Sequence, residues 1–229
     1  MNQEVITIHL KVPCYLVRIK DGFVLIDTGD ASDCVALEKF LDQAKVTPGN
    51  LKLILLTHGD FDHTGNAAFL QKKYGVKIAM HADDMGMIER GDQGWNRKAK
   101  PDRVTAFGKT IIIISSLFAK SVKLNPFRPD IFVENGYDLS TYGFDAKVLH
   151  LPGHSKGSIG ILTAEGNLFC GDLLMNMFKP DFHFLIDDLV DFDASIKKLE
   201  RIEIKTVYPG HGKPFLMERF IHDYRNTKR

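Results

Sequence analysis

Short apolar runs parted by turn residues open the chain. Residues 4–10, 15–19 and 23–26 read as strands, separated by Val12-Pro13 and by the turn pair Asp21-Gly22. Helical spacing takes over next. Val35, Leu37, Phe40, Leu41 and Ala44 share a face, Ser32 can cap the helix, and Pro48-Gly49 marks its end. Residues 51–56 are nearly all apolar, the pattern of a strand buried on both faces, and they run into a polar cluster that starts at Thr57. A second helix is expected over 64–74, halted by Gly75, then a buried strand over 76–80 and a helical turn over 82–89.

Between about 91 and 130 the pattern changes. A polar stretch around Gly94 and Trp95 gives way to basic residues as far as Arg103 and then to apolar residues over 104–124, where the spacing of Leu117, Phe118 and Val122 predicts a helix. The remainder mirrors the first part, with strands over 131–133, 146–149, 159–163, 167–170 and 206–208 and helices over 192–202 and 215–225. Two β-rich halves with helices outside them suit an α/β fold, a four-layer αββα sandwich. A single domain over 1–229 with a lid-like insertion at about 91–130 accounts for the length.

Composition narrows the partners. A 44% hydrophobic and 26% charged chain can build a substantial core. Its 30 Lys and Arg against 29 Asp and Glu, a net charge of +1, create no field that would draw nucleic acid or an anionic membrane. The apolar run over 111–118 is too short to span a bilayer. Three scattered cysteines, Cys14, Cys34 and Cys170, with no CxxC pair, form neither a disulfide framework nor a cysteine-built zinc site. With a polar N-terminus lacking a secretory pattern, the expected compartment is the cytoplasm and the expected partner a small-molecule substrate.

The chemistry lies in the polar clusters. A divalent metal needs neutral imidazoles and ionised carboxylates converging at bonding distance, and short loops at strand ends can aim them together. His58, Asp60, Asp62 and His63 directly follow the 51–56 strand. Alternate residues of an extended loop face the same way, so His58 and Asp60 can share one ion while Asp62 and His63 turn toward a neighbouring one. Further candidates stand beside glycines after apolar strands: His154 in Pro152-Gly153-His154-Ser155, Asp172 after Gly171, and His211 in Pro209-Gly210-His211-Gly212.

Together with Asp27-Thr28-Gly29 and Gly157-Ser158, and in this order along nearly the whole chain, these motifs resemble the metallo-β-lactamase-fold, glyoxalase II-like, hydrolase superfamily. The resemblance implies two divalent ions, one held by His58, Asp60 and His154 and the other by Asp62, His63 and His211, with Asp172 bridging them. It implies a metal-bound water or hydroxide as nucleophile, with Asp62 as the catalytic carboxylate beside it. It makes Asp27 a residue that orients the ligand loop.

One position departs from the family. The pattern is His-x-His-x-Asp-His, and this chain reads His-x-Asp-x-Asp-His, with Asp60 in place of an imidazole. Three carboxylates would leave the ions one unit less positive and favour harder metals such as manganese or iron beside zinc. A one-metal form is the other expectation.

The remaining polar residues carry plainer readings. His9, His81, His150 and His222 are expected to be structural and Cys170 to be a buried strand residue, while His183, between Phe182 and Phe184 in the segment after Asp172, either approaches the pocket or packs, with packing the favoured reading. Trp95, Phe107, Phe118 and Phe127 either line an apolar cleft over the metals or pack as ordinary core. Lys156 and Tyr208 flank the metal motifs and either touch substrate or serve the surface and the strand. The leading function is hydrolysis of a small ester, lactone or thioester. The alternatives are a mononuclear iron persulfide dioxygenase-like enzyme, a phosphodiesterase, and a non-catalytic metal-binding or ligand-sensing domain.

Overall fold

The computed structural model describes residues 4–106, 108–110 and 125–227. Strands β1 (Val5–Ile8), β2 (Cys14–Ile19) and β3 (Gly22–Ile26) form an antiparallel meander. Helix α1 (Cys34–Gln43) carries the chain to β4 (Leu51–Leu55), parallel to β3. Helices α2 (Phe61–Thr64) and α3 (Ala67–Tyr74) then lead to β5 (Ile78–Met80), parallel to β4. Beyond α4 (Met85–Glu89) and the short β6 (Arg103–Val104), strand β7 (Ile131–Phe132) completes a sheet ordered β1-β2-β3-β4-β5-β7.

The second sheet starts with an antiparallel run of β8 (Ala146–His150), β9 (Ile159–Thr163) and β10 (Asn167–Asn176). Strand β11 (Asp181–Phe182) folds back on β10, and β12 (Leu185–Ile186) pairs with β6. Helix α5 (Leu189–Leu199) returns the chain to β13 (Thr206–Gly212), parallel to β10, before β14 (Phe215–Leu216) and α6 (Met217–Thr227) close it.

Alternation along the strands explains the layering. In β3, Phe23 and Leu25 face one cluster, with Leu37 and Leu41 of α1 and Leu70 of α3, while Val24 and Ile26 face another. That second cluster joins Leu53 and Leu55 of β4 to Val148, Ile159, Ile161 and Phe169 of the other sheet, so it lies between the sheets. A third, with Leu168, Leu174 and Val207 against Phe192 and Ile196 of α5 and Phe220 of α6, covers the outer face of the second sheet. Three apolar clusters separate four layers, the αββα sandwich expected from the pattern. Each fully buried Leu or Ile in them contributes about 1.5–3 kcal/mol.

Several boundaries differ from expectation. Asp30, rather than Ser32, caps the turn before α1, its carboxylate accepting from Ser32 N at 2.8 Å. The helix expected over 64–74 is broken into α2 and α3, because Gly65 must pass against the backbone at Ala31, where a Cβ would lie 2.3 Å from a nitrogen. The strand expected to end at 170 continues to Asn176, and the one expected to end at 208 continues to Gly212, so Asp172 and His211 lie within strands rather than in turns after them. Register shifts between Phe169 and Gly171 and between Gly171 and Met175 bend β10 there, the usual device by which a bulge re-aims a side chain. Most of the helix expected over 104–124 lies outside the described residues, as do Phe107 and Phe118, while Val104 itself is in a strand. Among the described residues no helix is long and apolar enough to cross a membrane.

The three cysteines are free. Burial pushes the Cys170 thiol up to about 12 and holds Cys14 well above its ordinary value. Cys34 is half-buried. The thiolate is the reactive form, so native protein treated with a maleimide near neutral pH is expected to be modified at Cys34 alone, and at all three sites after denaturation. Mass spectrometry of the labelled peptides checks this; native labelling of Cys14 or Cys170 would contradict the packing described.

Candidate metal centre

The site is assembled from β4 outward. Thr57 follows that strand, and both its backbone N–H and its hydroxyl donate to the Asp27 carboxylate at 2.8 Å. With its proton committed to Asp27, Thr57 Oγ1 accepts from His58 Nδ1, 3.0 Å away. The same Asp27 carboxylate accepts from His63 Nδ1 at 3.0 Å. One buried carboxylate thereby sets the tautomer of both imidazoles and leaves each Nε2 with its lone pair facing the site. Asp27 itself adopts φ +57°, a left-handed conformation that aspartate tolerates better than most residues.

Residues from the second sheet complete the cluster. His154, in the loop from β8 to β9, has Nδ1 3.1 Å from Leu185 O, to which it donates. Asp172 reaches in from the bulged part of β10 and His211 from the end of β13. Gly210 leaves the space that Asp172 needs: a Cβ there would lie 2.0 Å from Asp172 Oδ1.

The geometry sorts the candidates into two groups. Ligand atoms of His58, Asp60, His154 and Asp172 all lie within 4.8 Å of one another, as do those of Asp62, His63 and His211. Asp172 faces both, with Oδ2 3.9 Å from His58 Nε2, 3.7 Å from His154 Nε2 and 3.3 Å from His211 Nε2, and Oδ1 3.4 Å from His63 Nε2. Two ligands about 2.1 Å from a tetrahedral ion stand about 3.4 Å apart. The fit to cations is seen in the unpartnered atoms: His58 Nε2, His63 Nε2, His183 Nε2 and Asp172 Oδ1 are buried without a hydrogen-bond partner. Such groups are costly unless something binds them.

Asp60 has a partner that sequence reasoning missed. Arg97 Nη2 lies 2.7 Å from Asp60 Oδ1, while Asp60 Oδ2 lies 2.9 Å from His154 Nε2 and 3.5 Å from His58 Nε2. Burial alone would raise the Asp60 pKa, but the Arg97 charge and the neighbouring imidazoles outweigh it and hold the carboxyl well below its ordinary value. The expected loss of one positive unit at position 60 is therefore offset by a guanidinium on the same carboxylate.

His183 packs on Phe184, with ring centroids 4.0 Å apart, and it also faces the cluster. It is buried against the cluster, with Nε2 3.2 Å from Asp172 Oδ2, and it forms a third ligand group with Asp172 and His211. Asp84 was also missed. Its carboxylate accepts from Gly59 N at 3.0 Å, Ser155 Oγ at 2.6 Å and Gly157 N at 2.7 Å, tying the His58 loop to the His154 loop.

Other expected site residues lie elsewhere. Trp95 packs flat on Gly86 under Arg90, Phe127 packs against the cluster beneath α1 and α3, and Tyr208 stacks on Phe169 between the sheets. His81 and His150 stack on each other at 4.2 Å beside Asp83, a half-exposed group of ligand-capable residues. His150 spends its Nε2 on Lys156 O at 2.8 Å.

A four-layer sandwich with a His and Asp cluster between its two sheets is the frame of the metallo-beta-lactamase superfamily, and the chain belongs to it: the family model matches residues 9–211. It is 31% identical over 179 residues to hydroxyacylglutathione hydrolase GloC of Haemophilus influenzae, a match covering 76% of this chain and 72% of that protein. It is 26% identical over 219 residues to the beta-lactamase-like protein 2 homolog of Drosophila melanogaster, across 93% of this chain but 64% of that one. Acyl-coenzyme A thioesterase MBLAC2 of Gallus gallus is 26% identical over 175 residues, or 73% of this chain and 58% of the relative. The chain thus spans less than two thirds of the length of the fly and chicken relatives. Among solved structures, TTHA1623 in a di-iron-bound form superposes with TM-score 0.68 at 27% identity, over 94% of this chain and 95% of that one. The metallo-beta-lactamase family protein TTHA1429 from Thermus thermophilus, at 21% identity, shares the fold with TM-score 0.72 over 99% of this chain and 79% of its own.

Asp84 accepts three hydrogen bonds at a fully buried position, so Asp84→Ala deprives the Gly59 and Gly157 N–H groups of their acceptor, leaves Ser155 Oγ only Ser158 Oγ at 2.7 Å, and separates the two ligand loops. A loss of about 3 kcal/mol in unfolding free energy is expected, together with weaker metal retention. Denaturant titration of the metal-free variant beside metal-free wild type checks it, and a change under about 1 kcal/mol would contradict the bracing role.

Proposed function

We propose that this chain is a two-metal hydrolase acting on a thioester or related ester bond of a small molecule. The observation that carries the reading is the set of unpartnered buried atoms of His58, His63, His183 and Asp172, the last two lining a pocket of about 340 Å³. His58, Asp60, His154 and Asp172 would hold one ion, and Asp62, His63, His211 and Asp172 the other. Divalent ions supply Lewis acidity toward a carbonyl oxygen and lower the pKa of a water to near neutrality.

The protein's own groups do the rest. Asp62 lines the pocket with one oxygen 3.5 Å from His211 Nε2, where it can orient the attacking water and take its proton. Phe61, Met177, Phe184 and Leu185 give an apolar wall against which an acyl chain can lie, and Gln93 and Arg97 bring polar groups to the rim. Those two rim residues come from the 91–130 segment, which we read as a lid-like insertion. Arg97 is the single cation among the described lining residues, and it is already paired with Asp60. That favours an acyl group over a phosphodiester, as do the relatives named for acylglutathione and acyl-coenzyme A hydrolysis. Free cysteines and a net charge of +1 are in keeping with a cytoplasmic enzyme that acts on a small molecule.

The test is a panel of acylglutathione, acyl-coenzyme A, lactone, aryl ester, phosphodiester and persulfide substrates, assayed with zinc, iron(II) or manganese restored after chelation. Thioester or ester hydrolysis is expected, abolished by chelation and recovered with metal, and Asp62→Asn should lower kcat by roughly 100-fold or more. Oxygen consumption with persulfide and no hydrolysis, or faster turnover of the phosphodiester, would sink the reading.

A further inference from the structure

We propose that His183 is itself a metal ligand, joining Asp172 and His211 on an ion that Asp172 Oδ2 faces, so that a centre with an aspartate at position 60 takes an imidazole from outside the shared motifs. This rests on the metal-binding part of the reading above, though not on its substrate. His183 belongs to no motif that the chain shares with the family. It lies between β11 and β12, on a segment that folds back over β10.

Three observations converge on it. His183 is 3% exposed, and its Nε2 has no hydrogen-bond partner although it stands 3.2 Å from Asp172 Oδ2. That separation suits two ligands of one ion. The other ring nitrogen is fixed from behind: His183 Nδ1 lies 3.3 Å from Leu185 O, the carbonyl that also takes His154 Nδ1 at 3.1 Å. One backbone oxygen thus orients two imidazoles whose Nε2 atoms both face Asp172, the arrangement by which a second partner sets a ligating histidine. Leu185 N donates to the same Nδ1 at the longer distance of 3.4 Å in the tautomer that protonates Nε2, so a cation on Nε2 would select the tautomer in which Nδ1 donates to Leu185 O. The His154 and His183 rings meet edge to face, 4.7 Å between centroids.

Position 60 completes the argument. The carboxylate there has one oxygen on Arg97, and the same guanidinium nitrogen lies 3.4 Å from His154 Nε2. A cation beside Asp60 repels a metal ion, whereas among the described residues the side chains paired with Asp172 are imidazoles, which can bind one. An ion between Asp172 Oδ2 and His211 has His183 within ligand distance, and Arg97 is not part of that group. Asp60, with one oxygen on Arg97, is left as a weakened oxygen ligand of its group, and the centre gains an imidazole from another segment.

The experiment compares wild type, His183→Ala and His183→Gln for metal stoichiometry after equilibration with a competing chelator, and for imidazole count by X-ray absorption of the zinc-loaded protein. Thermal melts of the metal-free proteins verify that the variants fold, and Gln keeps the bulk if Ala does not. Both variants are expected to bind one ion on the order of 100-fold more weakly, to leave the second unchanged, and to show one imidazole fewer. An unchanged imidazole count overturns the proposal even if affinity falls, because His183 would then only position Asp172. Absence of metal binding by wild type would overturn both this proposal and the function on which it rests. Metal-loaded wild type that hydrolyses no ester, with one imidazole lost in the variants, would overturn the function alone.

Discussion

The centre is organised by one costly placement: the Asp172 carboxylate is 4% exposed, and the Nε2 atoms of His58, His63, His154, His183 and His211 all stand between 3.2 and 3.9 Å from one of its oxygens. Left to themselves these groups form a poor network. Asp172 Oδ1 and three of the imidazole nitrogens around it make no hydrogen bond at all. Polar atoms buried without partners cost on the order of 1–3 kcal/mol each, so a fold that holds several of them together is trading stability for a binding site. The bulges in β10 and the missing side chain at Gly210 serve that convergence, since a regular strand or a Cβ would close the space into which Asp172 points.

Two other carboxylates keep the convergence in place. Asp27 works through the N-terminal sheet, fixing His63 directly and His58 by way of Thr57. Asp84 works between the sheets, joining the backbone after His58 to the backbone after His154. Neither lies in the ligand groups, yet each is buried and each has its acceptor oxygens filled by N–H or O–H donors. The contrast with Asp172 is informative. Among buried carboxylates of one protein, the satisfied ones brace and the unsatisfied one faces the place where charge is to be bound.

What was legible in the sequence follows the same division. The strands, helices and four layers could be read because hydrophobic periodicity records which face of an element is buried, and β3, β4 and β9 follow their expected bounds within a residue. His58, Asp60, Asp62 and His63 stood out because they are adjacent in the chain, and His154, Asp172 and His211 because glycines flank them. Asp27 was legible only through the family resemblance, in Asp27-Thr28-Gly29. Nothing local marks the others. His183 sits in an alternation with Phe182 and Phe184 that reads as strand packing, Arg97 is one of several basic residues, and Asp84 looks like an acid at the start of a helix. Their roles exist only once remote segments meet: Arg97 reaches across 37 positions to Asp60, and Ser155 across 71 to Asp84.

Asp60 illustrates why a departure from a family pattern has to be judged with its surroundings. Taken alone, an aspartate for a histidine adds a negative charge to the ligand set, and it argues for a less acidifying centre and a harder metal. In the folded chain that charge is met at 2.7 Å by Arg97, with both side chains largely shielded from water. At that distance and degree of burial, the pair's field at the ions is closer to a dipole than to a net charge, and it weakens more steeply with distance. The overall charge felt by bound cations is then nearer to that of a neutral imidazole than the substitution suggests. The remaining difference lies in donor chemistry and in geometry: a guanidinium now stands 3.4 Å from His154 Nε2, and the His183 imidazole faces Asp172 at 3.2 Å.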